Sequence, residues 1–143
     1  MLPSSSLAPS VKDGVGALKD VDRQRIDSPV RMAIGDSLDL DAAAREECPQ
    51  ENRWDYLLGV EQSYRVIGIE PHAASEGQVT VIIAKRRWAV GFVRGHLKPG
   101  KFVADWYWVS SGRVGFQDTT RERRRLDQNG IKFVGRLLRL KDL

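Results

Sequence analysis

Two carboxylates and an imidazole stand in a spacing that could hold a hard divalent cation. Asp55 lies in the apolar run 54–60, and Glu70-Pro71-His72 closes the run 64–71. Side chains alternate along an extended chain, so Glu70 and His72 share one side. An Asp on one strand and a Glu on the next can bind Mg²⁺ or Mn²⁺ together with several waters. An ion held there would polarise a phosphate and help ionise an attacking water. A basic third group, either His72 or the later Lys85, would orient that water or offset charge on the phosphate.

These residues need a hairpin to bring them together. The runs 54–60 and 64–71 are rich in aromatic and β-branched residues and are separated by Glu61-Gln62-Ser63, as expected of two strands joined by a short turn. A turn centred on Glu61 and Gln62 places Asp55 opposite Gly68, with Glu70 as its diagonal neighbour, about 7–8 Å away. The other face then collects Trp54, Tyr56, Leu58, Ile67 and Ile69 as a core. A one-residue slip would bury the acids instead.

Around this hairpin the predicted elements are helices and further strands. The Ala- and Leu-rich stretch 36–48 reads as a helix stopped by Pro49, which leaves Glu46 and Glu47 at its last turn, where the dipole disfavours acids. The stretch 75–93 has the composition of a strand at Val79–Ile83. It also carries a Ser75-x-x-Gln78 capping box and an apolar face at helical spacing, and helix is the favoured reading. Arg86 falls inside that apolar face, and Lys85 falls on its flank. Strand 102–110 contains Trp106-Tyr107-Trp108, whose alternation buries Trp106 and Trp108 together. Thr119-x-x-Glu122 opens a short helix ending at Asn129-Gly130, and 131–140 reads as a last strand. The expected fold class is α/β (α+β): a mixed β-sheet flanked by helices, in the order α-β-β-α-β-α-β. Residues 1–28, with few bulky apolar side chains, read as a flexible N-terminal arm or weakly docked lead-in, and 29–143 as a single domain.

Asp55 on one strand and Glu70-x-His72 on the next resemble the motif of the PD-(D/E)xK nuclease superfamily. Its core is a helix, a β-meander, a helix and a further strand. The resemblance covers roughly 36–109 and rests on a short motif. It implies that Asp55 is the first acid, Glu70 the second and His72 the counterpart of the family lysine. Trp54 stands where proline precedes the first acid, and a neutral imidazole is a weaker electrostatic partner than an ammonium. Some members bring the lysine from the following helix, which implies Lys85. Members also carry a helical Glu as an extra ligand, a part implied for Glu46 or, as a third metal ligand beside Asp55 and Glu70, Glu47.

Charge is distributed to match. Residues 1–70 hold 8 Lys/Arg against 13 Asp/Glu, while the remainder holds 15 against 6. Phosphate backbones attract such basic clusters, and Arg86, Arg87, Arg94, Lys98, Arg123 and Arg124 are the candidate nucleic-acid contacts. Arg123-Arg124-Arg125 are consecutive and splay around a helix, so they form no single stripe. The lone Cys48 excludes an internal disulfide and a multi-cysteine zinc site. No P-loop, G-x-G-x-x-G, H-E-x-x-H or G-x-S-x-G occurs. No apolar run is long enough to span a membrane, and cytoplasmic residence is the default. Two functions are therefore expected to compete. One is a metal-dependent phosphodiester hydrolase with nucleic acid as partner. The other is a non-catalytic nucleic-acid-binding or protein-interaction module, through a protein partner or a homodimer.

Overall fold

A computed structural model describes residues 5–75, 77–114 and 120–143. It is an α+β structure built on a mixed six-stranded sheet flanked by helices. The elements are β1 (Lys12–Asp13), α1 (Asp20–Arg23), α2 (Ser28–Ala33), β2 (Ile34–Asp39), α3 (Leu40–Ala44), β3 (Tyr56–Val60) and β4 (Arg65–Ala74). They continue with α4 (Gln78–Val93), β5 (Val103–Val114), α5 (Thr120–Gln128) and β6 (Ile131–Phe133). The strands lie side by side in chain order. The first four are antiparallel neighbours, whereas β4, β5 and β6 run parallel. The helices α4 and α5 supply the crossovers that parallel neighbours require.

Both faces of the sheet are covered, as parallel strands demand. One core gathers Trp54, Leu57, Trp106 and Trp108 against Val79, Ile82 and Ala89 of α4. The other gathers Tyr56, Leu58, Ile67, Ile69, Tyr107 and Val109 against Ile26 and Val30. The Trp-Tyr-Trp run thus divides by strand alternation, its tryptophans to one core and its tyrosine to the other. Trp54 does not join Tyr56 and Leu58, as the alternating pattern suggested. It precedes β3, where the chain is not yet a regular strand, and its ring meets Trp106 edge-on at 5.0 Å.

Four further expectations change. Residues 1–28 are not a flexible arm from Ser5 onward, because Leu7, Leu18 and Ile26 are buried and β1 pairs with β2. These widely spaced apolar residues dock individually and so leave no periodic signal. The stretch 36–48 is not one helix. Ile34–Asp39 pairs along β3 as a strand, and Asp39 then caps a shorter helix by accepting a hydrogen bond from the Ala42 amide at 2.9 Å. The last strand stops at Phe133 rather than Leu140, and the chain turns through Gly135 at φ 80°. The order α-β-β-α-β-α-β therefore omitted β1, α1, α2 and β2. Thr119 lies outside the described residues, but α5 does end at Gly130 in the left-handed region, φ 72°.

The hairpin forms with a longer connection than expected. Tyr56 pairs with Ile69 and Val60 with Arg65, leaving four residues, 61–64, in the turn. Tyr64 takes a left-handed conformation, φ 54°, which no Asn-Gly or Asp-Gly signal announces. The register thereby moves by two residues. An even shift keeps every side chain on its face, so the acids stay together but meet differently.

Candidate active site

Continuing the observed pairing by one residue sets Asp55 directly opposite Glu70 rather than diagonal to it. The Asp55 amide donates to Glu70 Oε1 at 2.9 Å. The carbonyl of Asp55 accepts from the first amides of α3, Leu40 at 2.8 Å and Asp41 at 3.3 Å. The short helix after β2 is therefore pinned to the residue that carries the first acid. Glu70 is wholly buried, whereas the Asp55 side chain remains 27 % exposed. One acid anchors the site and the other faces solvent.

Lys85 reaches down from the second turn of α4 to both acids. Its Nζ lies 2.8 Å from Glu70 Oε2 and 3.7 Å from Asp55 Oδ1. The two carboxylates converge on one ammonium, so they are also within reach of one small ion. Burial raises the pKa of both acids; for Glu70 the neighbouring Asp55 adds to the rise, and Lys85 opposes it in each. Burial alone would lower the pKa of Lys85, but Glu70 and Asp55 together reverse that and hold it above its usual value. Lys85 is thus a firmly charged cation between two acids that resist full ionisation.

His72 is present but secondary. Its Nδ1 lies 3.7 Å from Glu70 Oε2. Its Nε2–H donates to Gln78 Oε1 at 2.6 Å. Gln78 therefore orients the imidazole instead of closing a capping box with Ser75, and α4 begins without a side-chain cap. The ammonium beside the two acids is that of Lys85.

Glu47 does not join the site. Both Glu46 and Glu47 are exposed beyond the end of α3, because that helix is too short to carry them back to the sheet. The third acid whose field reaches Asp55 and Lys85 is Asp41. It is clamped by Arg53 at 2.9 Å and by Arg45 at 3.1 Å. The i,i+4 spacing of Asp41 and Arg45 was the one sequence cue to that clamp. Neither Arg53 nor Arg65 neutralises the acid pair, since Arg65 binds Asp105 at 2.6 Å. No group of three or more His, Cys, Asp or Glu able to hold a metal occurs among the described residues. A cation here would rest on two carboxylates and solvent. Those hard oxygen donors suit Mg²⁺ or Mn²⁺.

The basic candidates divide. Arg87, Arg94 and Lys98 are exposed, and Arg87 and Arg94, seven residues apart, share one face of α4. Arg86 turns inward, its guanidinium 5.8 Å above the centre of the Trp106 ring. On α5, Arg123 covers Phe133 at 5.5 Å, Arg124 is exposed, and Arg125 binds Thr80 Oγ1 of α4 at 3.0 Å. Three concavities lie elsewhere, around the turn 61–64 and the start of β5. No protein-family model matches this chain, and neither a curated protein nor a solved structure shows significant similarity to it.

Proposed function

We propose that this chain is a metal-dependent phosphodiester hydrolase of the nuclease type, with Asp55 and Glu70 as metal-binding carboxylates and Lys85 as the basic group of a PD-(D/E)xK-like site. The observation that carries the reading is the convergence of Asp55, Glu70 and Lys85 from two paired strands and the next helix. The antiparallel neighbours β2, β3 and β4 followed by α4 and β5 support it, with α2 ahead of β2 and the short α3 inserted between β2 and β3.

Bound Mg²⁺ or Mn²⁺ would polarise the scissile phosphate and lower the pKa of a coordinated water. The chain's own part is positional. Asp55 faces solvent and offers its carboxylate to the incoming group, while Glu70 is fixed by the Asp55 amide and by Lys85. Lys85 keeps its proton and can donate it as a hydrogen bond to a phosphate oxygen. His72, oriented by Gln78, stands beside Glu70 as a second polar contact. The exposed Arg87, Arg94, Lys98 and Arg124 would seat the backbone through charge, with no need to read bases. The second reading, a non-catalytic nucleic-acid-binding module, draws on the fact that Lys85 already balances part of the acids' charge.

Cleavage of single- and double-stranded DNA and RNA in Mg²⁺, Mn²⁺ or EDTA separates the two. The hydrolase reading expects metal-dependent cleavage that falls at least about a hundredfold in Glu70→Ala and is absent in EDTA. Equal cleavage by the wild type and Glu70→Ala would remove the site assignment. No cleavage with salt-dependent binding retained would establish the binding module instead.

A further inference from the structure

Arg86 is the anomaly of α4. It falls among the apolar positions of the helix, yet its Nε is buried without a hydrogen-bond partner among the described residues. Its guanidinium carbon lies 5.8 Å from the centre of the Trp106 ring. On one side it abuts Gly130 at the carbonyl end of α5, where an added Cβ would stand 2.7 Å from Nη2. That helix end offsets part of the cationic charge. Asp105 and Asp127 line the cavity on this side, but neither forms an ion pair with Arg86. A partly buried guanidinium with no acceptor is costly, and an anion is the partner it lacks.

The other side of Arg86 opens into a cavity of about 250 Å³ between α4 and the start of β5. Arg86, Arg94 and Lys101 line it, and among the described residues no carboxylate does. The remaining wall is apolar, chiefly Val90, Leu97 and Val103. Lys101 is already engaged, donating to the Tyr64 carbonyl at 2.7 Å, so among the described residues the lining cations left without a hydrogen-bond partner are the half-buried Arg86 and the exposed Arg94. We propose that this cavity binds a small organic anion, a phosphate monoester or carboxylate on a compact apolar body. Arg86 receives the charged head through its planar fork, and the aliphatic wall covers the body. The site is separate from the acid pair and does not depend on the hydrolase reading.

Trp106 makes binding observable, because it underlies Arg86 and meets Trp54 edge-on. Phenyl phosphate is the probe, titrated into the full chain and followed by the Trp106 indole N–H resonance, assigned with Trp106→Phe. Saturable binding is expected. Inorganic phosphate, which lacks the body, and phenol, which lacks the charge, should each bind at least about tenfold more weakly. Arg86→Met should weaken phenyl phosphate at least about tenfold. Val90→Phe should do the same by filling the cavity while leaving Arg86 in place. The proposal is overturned if the wild type shows no saturable shift at millimolar phenyl phosphate. It is equally overturned if folded Arg86→Met and Val90→Phe bind as the wild type does.

Discussion

A single ammonium between two carboxylates can neutralise only one of them, and this imbalance governs the behaviour of Asp55, Glu70 and Lys85. The acids hold a proton more tightly in the folded chain than in the unfolded one. Their linkage therefore favours the native state at acidic pH and weakens it as pH climbs from the ordinary carboxylate range through the raised values. Lys85 acts in the same sense but in a higher window: its stabilisation is fully present below the ordinary lysine value and is lost as pH rises from there through its raised value. Lys85→Met removes the only counterion within 3 Å of Glu70 among the described residues. At pH 8 it should cost about 3–5 kcal/mol, the usual penalty for leaving one partner of a buried pair. At pH 4, within the ordinary carboxylate range, acids whose values are raised take up protons and the loss should be markedly smaller. Urea unfolding at the two pH values checks this, and an equal loss at both would mean that the ammonium does not balance the buried acid.

At the level of elements, the site depends on how closely β4 passes beneath two tryptophans. A Cβ on Gly68 would lie 2.5 Å from the Trp106 ring and 2.9 Å from Trp54 Nε1, so Gly68→Ala must displace one of them. The expected loss is roughly 1–3 kcal/mol, as for other overpacked cores, read as a lower urea midpoint at unchanged m. A neutral substitution would show that β3 and β5 do not pack across β4 in this way. The pairing of these strands was legible in their alternating residues, and so was the helical face of α4. The register was not, because it turns on the left-handed Tyr64, a residue type that does not advertise that conformation. Nor was β2. Leu38 and its aspartate neighbours suit a helix in isolation, and only the hydrogen bonds to β1 and β3 make 34–39 extended. The carboxylates and Lys85 were visible as a set because strand alternation and helix reach are local rules. Asp41 was not, since its place beside Asp55 follows from the early helix start that β2 imposes.

Across the whole molecule, the acids lie in a half of the chain with excess negative charge, and α4, β5 and α5 lie in the basic half. Nucleic acid held by Arg87 and Arg94 should bind with a steep salt dependence. Replacing both with Gln should reduce the slope of log K against log salt by about 2, roughly one unit per cation. Fluorescence anisotropy with a labelled duplex across salt concentrations measures it, and an unchanged slope would place the phosphate contacts elsewhere. The same consecutive strand order also leaves the sheet with two rims. The outer strands are the two-residue β1, both of whose side chains are exposed and charged, and the three-residue β6, with an exposed Lys132 at its centre. Rims this short and this charged give another copy little backbone to add a strand to, so crowding many molecules together need not seed sheet-to-sheet aggregation.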